Sequence, residues 1–132
     1  MAAVSVDARE SAAARKSVLL VEDDADLRQV IEDLIASVGC HVVPTRNGVE
    51  AQKWLRSADA LPGVIILDLM MPYMTGWELA DWMAADERYK AVPLVVITAF
   101  TNPANVPKHA VRVMLKPLDG DDVLEIVRRY CL

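Results

Sequence analysis

From about Lys16 onward, short apolar runs alternate with longer amphipathic stretches. Ser17–Val21 (SVLLV) is aliphatic and β-branched with no polar alternation, which suits a strand buried on both faces of a parallel sheet. Leu27, Val30, Ile31, Leu34, Ile35 and Val38 then recur at helical spacing and mark one face of a helix, with Gly39 placed to end it. His41–Pro44 reads as a second strand, and Asn47-Gly48 as a turn into a helix over Val49 to Arg56 that turns Ala51 and Leu55 inward. After Pro62-Gly63 come a third strand, Val64–Leu67, and a helix from Gly76 to about Asp86 that buries Leu79, Ala80 and Met83. Leu94–Ile97 and Val111–Leu115 are the fourth and fifth strands. Val123, Ile126, Val127 and Tyr130 give the last helix, capped by Asp119, with Asp121 and Asp122 favourable at its positive end. Met1–Lys16 is rich in Ala and charge without apolar periodicity and reads as a flexible tail, leaving 17–132 as one domain. Strand–helix alternation with continuously apolar strands predicts an α/β fold, a parallel sheet covered by helices on both faces.

Composition narrows this picture without changing it. A length of 132 residues is about one domain. The chain is 54% hydrophobic and 25% charged, a globular balance. Its 14 Lys and Arg against 19 Asp and Glu leave a net charge of −5, which argues against direct nucleic-acid binding. No apolar run nears the ~20 residues of a membrane span, so no membrane insertion is expected. No apolar core of signal-peptide length opens the chain. Cys40 and Cys131 form neither a metal-like pair nor a disulfide framework and read as reduced thiols, so the expected compartment is cytoplasmic.

Parallel α/β sheets bind their ligands outside the carboxyl ends of the strands. The first strand ends in Glu22, Asp23 and Asp24, the third in Asp68, the fourth in Thr98 and the fifth in Lys116. Carboxylates gathered in a cleft repel one another unless a cation compensates. Oxygen ligands without sulfur suit a hard cation such as Mg2+, which takes one or two carboxylates plus phosphate oxygens. Lys116 adds a point charge and Thr98 a hydroxyl, a set that fits phosphoryl transfer. No Gly-rich phosphate loop accompanies them, and the candidate nucleophile is a carboxylate. Asp68 stands alone after four apolar residues and is assigned as acceptor. Glu22 and Asp23 are assigned as the metal site, with Asp24 adding local charge and Asp26 supporting the first helix.

The runs VLLVEDDADLR (Val18–Arg28), VIILDLMMPYMTGWEL (Val64–Leu79), VVITA (Val95–Ala99) and LKP (Leu115–Pro117) resemble the receiver domain of bacterial two-component response regulators over nearly the whole chain. The resemblance implies a flavodoxin-like (CheY-like) three-layer doubly wound sandwich, its five-stranded parallel sheet in order 2-1-3-4-5. It implies that Asp68 is the phosphoacceptor, Asp23 a direct Mg2+ ligand and Glu22 a ligand through water, with the Met70 backbone carbonyl also on the metal. It further implies that Thr98 is the switch hydroxyl, that Ala99 leaves room for the phosphoryl group, that Lys116 contacts a phosphoryl oxygen, and that the Lys116–Pro117 bond is cis. The implied donor is a sensor histidine kinase or phosphotransfer protein. The output is expected in trans, on a downstream protein partner, because no effector domain follows; the domain is regulatory, not an enzyme.

Two departures bear on output. Eighteen positions separate Thr98 from Lys116, a few short for the family, and the interval holds Pro103 and Pro107. A proline inside a helix costs about 3 kcal/mol, so at most one helical turn is expected between Phe100 and Ala110, and the family's usual fourth helix is expected to be shortened or lost. Val113 stands where the family usually carries Tyr or Phe, a ring that swings inward with the threonine. An alternative is therefore a pseudo-receiver that docks a partner constitutively and is never phosphorylated. A phosphatase using Asp68 as nucleophile would want a second Asp at the position of Met70. His41 and His109 share no ligand spacing and read as structural; Trp82 is expected to face the core and Trp77 to be part-exposed.

Overall fold

The computed structural model describes residues 16–99 and 106–132. Five strands, β1 (Val18–Val21), β2 (Val42–Thr45), β3 (Val64–Asp68), β4 (Leu94–Thr98) and β5 (Arg112–Leu115), alternate with four helices, α1 (Ala25–Ser37), α2 (Gly48–Ser57), α3 (Gly76–Ala84) and α4 (Gly120–Cys131). The strands pair in parallel in the order β2-β1-β3-β4-β5, as expected.

The two-sided burial inferred from the unalternating runs is what the sheet shows. Leu19 and Val21 of β1 join Ile65, Leu67, Leu94 and Val96 in a core closed by Ala51 and Leu55 of α2 and Leu79, Ala80 and Met83 of α3. Val18 and Leu20 face the other way, with Ile66, Val95 and Ile97, against Ile31 and Ile35 of α1 and Val123, Ile126 and Val127 of α4. Successive strand residues point to opposite faces, so an unbroken apolar run serves both layers at once. Tyr89, just past α3, is also buried and stacks at 4.8 Å on Trp82. Trp82 and Trp77 are both half-buried against the α2–α3 core, with Trp82 facing the core and Trp77 part-exposed as expected.

The caps explain where the helices start and stop. Asp119 accepts from the Asp121 amide at the start of α4. Thr75 and Glu78 form a reciprocal capping box on α3. Gly39, at φ 80°, follows α1 in the left-handed region that glycine adopts freely. With Gly120–Cys131, the chain has its fourth helix among the described residues, a correction to any picture of a fold one helix short. The expected loss concerned the interval between β4 and β5: there residues 100–105 lie outside the described residues, and 106–111 hold a turn closed by the Ala110 amide on the Pro107 carbonyl. The tail expected over residues 1–16 likewise falls, but for Lys16, outside the described residues.

Candidate functional site

In a parallel sheet the strand ends share one edge, and the register decides which residues meet there. Val21 of β1 lies opposite Leu67 of β3, so the next residues, Glu22 and Asp68, stand side by side. Asp68 pairs with Ile97, and Thr98 with Leu115, which brings Thr98 and Lys116 to the same edge. The Lys116 amide donates to the Thr98 carbonyl at 2.9 Å, extending the ladder by one residue.

Glu22, Asp23 and Asp68 each bring a carboxylate oxygen within 4.8 Å of the others. Glu22 is fully buried, Asp68 is 2% exposed, and Asp23 opens to solvent. Lys116 Nζ reaches both buried acids, at 3.0 Å from Glu22 Oε1 and 3.3 Å from Asp68 Oδ2. The Lys116–Pro117 peptide bond is cis, as the resemblance implied. The Met70 amide donates to Asp68 Oδ1 at 3.2 Å, and the Met70 side chain points out to solvent. Thr98 is buried at the end of β4, and Ala99 is exposed directly after it.

One lysine does not balance three carboxylates. Burial pushes the Glu22 carboxyl up to about 8, and the neighbouring Asp68 carboxyl adds to the shift. Asp23 is also raised, first by burial and then by Asp68. Burial alone would lower Lys116, but its contacts with Glu22 and Asp68 outweigh it and hold the ammonium above its ordinary value. Glu22 Oε2 is buried and has no hydrogen-bond partner. A buried, unpartnered carboxylate oxygen is costly. An all-oxygen donor set short of positive charge, open to solvent at Asp23, fits a hard divalent cation.

Three further residues shape the site, of which Arg28 and Gly76 carry no signal of it in the sequence. Asp24 turns away from the cluster and caps α1, accepting from the Asp26 and Leu27 amides at 2.9 and 3.1 Å; it is a helix cap, where the sequence suggested added local charge for the pocket. Arg28, one turn into α1, donates to the Glu22 carbonyl at 2.9 Å and holds the acidic turn from behind. Gly76 sits so close under the β3–α3 loop that a Cβ there would lie 2.5 Å from the Asp68 carbonyl oxygen and 2.7 Å from Leu69 Cα. Asn, Asp, Ser or Thr just before a helix is a readable cap signal, and Asp24 carried it. Nothing in local spacing marks Arg28 or Gly76, because both contacts depend on how the loop returns.

Comparisons with known proteins agree with this geometry. The pattern of the response regulator receiver domain matches residues 18–128. The polar-differentiation response regulator DivK of Brucella anthropi is 34% identical over 85 residues, covering 64% of this chain and 68% of that protein. The chemotaxis protein CheY4 of Vibrio cholerae superposes with a TM-score of 0.79 at 28% identity, over 89% of this chain and 99% of that one. The phosphorylated cyanobacterial phytochrome response regulator RcpA superposes with a TM-score of 0.74 at 28% identity, over 88% and 91% of the two chains. With its strand order, its acidic edge and its match along nearly the full length, the chain belongs to the response regulator receiver domain family, the regulatory signalling domains of two-component systems.

Proposed function

We propose that the chain is a phosphoacceptor switch: Asp68 takes a phosphoryl group, and the altered domain binds a protein partner differently. The observation that carries this reading is the Asp68 carboxylate, buried at the sheet edge within reach of Lys116 and of two further acids, one of them with an oxygen left unpartnered. Asp68 attacks the phosphorus of a phosphohistidine on a sensor histidine kinase or phosphotransfer protein. A new O–P bond forms, the P–N bond breaks, and the imidazole leaves and takes up a proton. Asp23, Asp68 and the Met70 carbonyl would hold Mg2+, with Glu22 acting through water. Bound there, Mg2+ supplies positive charge that lets carboxylate and phosphoryl oxygens approach. Lys116, already between Glu22 and Asp68, pairs with a phosphoryl oxygen. Thr98 donates its hydroxyl to another, and Ala99 leaves space for the group. Phosphorylation of the similar RcpA supports the reading. The working compartment is the cytoplasm, where the kinase partner delivers its phosphoryl group; no helix among the described residues is long and apolar enough to cross a membrane.

The test is incubation with acetyl phosphate and Mg2+, read by intact mass. Addition of one phosphoryl group, lost in Asp68→Asn and in EDTA, is the expected result. A second reading, constitutive docking without phosphorylation, is favoured by Val111, just before β5, and Val113 and Leu115 on it, which all stand exposed. No modification by acetyl phosphate or by a phosphohistidine donor, with partner binding unchanged in Asp68→Asn, would replace the first reading with the second.

A further inference from the structure

The two cysteines stand at the edge of the sheet opposite the acidic site. Cys40 closes the turn between α1 and β2, and Cys131 is the last residue of α4; 91 positions separate them in the chain. Both are buried. Their thiols donate to backbone carbonyls of consecutive residues at the entry to β1: Cys40 Sγ to Lys16 O at 3.8 Å, and Cys131 Sγ to Ser17 O at 3.6 Å. Cys40 is near enough that, after burial, it is the next cause raising the Cys131 thiol.

The backbone around them is fixed from several sides. The Val18 amide donates to the His41 carbonyl at 2.9 Å, and the Gly63 amide to the Ser17 carbonyl at 2.8 Å. At Gly63 a Cβ would come within 2.5 Å of the Tyr130 carbonyl, 2.6 Å of Lys16 Cβ and 3.0 Å of Cys131 Sγ. The last turn of α4 therefore lies directly on the entries to β1 and β3, and both thiols converge on the same two residues, Lys16 and Ser17. Neither thiol has a part in the acidic site, which lies at the far ends of the strands.

We propose that Cys40 and Cys131 are a redox pair that closes to a reversible intramolecular disulfide, stapling the end of α4 to the α1–β2 turn. The oxidant is a low-molecular-weight disulfide. The Cys40 thiolate attacks one of its sulfurs, its S–S bond breaks, and one small thiol leaves with a proton. Cys131 then gives up its proton, and its thiolate displaces the second small thiol from Cys40. Two protein thiols are oxidised and one small disulfide is reduced to two thiols. Cys131 is placed second because burial, and after it the neighbouring Cys40, pushes its thiol up to about 12. Closing so long a loop restricts the unfolded chain strongly, so the staple raises Tm by roughly 10 °C.

The experiment treats the full chain with oxidised glutathione, quenches with acid and reads intact mass, non-reducing peptide maps and Tm. The expected product is a monomer lighter by two hydrogens, with the Cys40 and Cys131 peptides linked and Tm raised, all reversed by dithiothreitol. Cys40→Ser and Cys131→Ser should each stop at a glutathione adduct or stay unmodified, with no rise in Tm. Because the wild-type mass and peptide map need no variant, the proposal stays open to refutation even if a serine variant folds poorly. A wild-type chain that retains two alkylatable thiols, stalls as a glutathione adduct, or cross-links between molecules overturns it.

Discussion

Glu22 makes the stability of the metal-free protein depend on pH in an unusual direction. Its carboxyl is raised from an ordinary 4.5 to about 8 in the folded chain, chiefly by burial. Between those values the folded state binds more protons than the unfolded state, so stability falls as pH rises through the window. One proton of difference gives a slope of about 1.4 kcal/mol per pH unit, and about 5 kcal/mol across the whole shift. From pH 6 to pH 8, thermal unfolding in EDTA should therefore lose about 2–3 kcal/mol, or roughly 10 °C in Tm for a chain of this size. Asp23 is raised in the same direction, so its contribution to the slope has the same sign. Glu22→Gln keeps the shape and cannot ionise, so its profile should be nearly flat over the same range and should lie above wild type at pH 8. Millimolar Mg2+ competes with the protons and should flatten the wild-type slope or invert it. A wild-type slope that persists unchanged in Glu22→Gln would refute the assignment of the effect to this carboxyl.

Three other outcomes are expected. Asp24→Ala should lower stability by about 1 kcal/mol in urea unfolding, the worth of an N-cap, while leaving Mg2+ affinity by fluorescence titration within about twofold of wild type. Gly76→Ala forces the Asp68–Leu69 backbone aside, because the new methyl would sit 2.5 Å from the Asp68 carbonyl; acetyl phosphate labelling should slow by about tenfold or more for a stability loss of about 1–3 kcal/mol. Leu55→Ala, in the fully buried α2–α3 core, should cost about 2–5 kcal/mol in chemical denaturation without changing the initial labelling rate at low temperature.

How much of this was readable in the sequence follows from the geometry of a parallel sheet. Unbroken apolar runs such as Val64–Leu67 mark strands buried on both sides, and their C-terminal ends must share an edge, so Glu22, Asp23, Asp68, Thr98 and Lys116 could be gathered before any coordinates existed. Strand boundaries slipped by a residue where a polar side chain extends the ladder: Asp68 and Thr98 lie inside β3 and β4, because both are buried enough to be part of the sheet. Asp24 carries two signals at once, a charge beside the acidic pair and a cap residue before α1, and its hydrogen bonds are those of the cap. The Arg28 contact to the Glu22 carbonyl, the tight seat of Gly76 and the convergence of Cys40 and Cys131 on the entry to β1 are products of three-dimensional return, and no periodicity records them.

The hold that α1 has on the acidic turn carries a consequence for motion. Asp24 ties the turn to the first amides of the helix, and Arg28 reaches back to the carbonyl of Glu22. Turn and helix are thus bolted together at both ends of a seven-residue stretch, Glu22–Arg28. In native-state hydrogen exchange the amides of Asp26, Leu27 and Arg28 should open as one cooperative unit. A partner that grips α1 would then slow the exchange of all three, and so would a ligand that fills the carboxylate cluster. The helix works as the handle of the site.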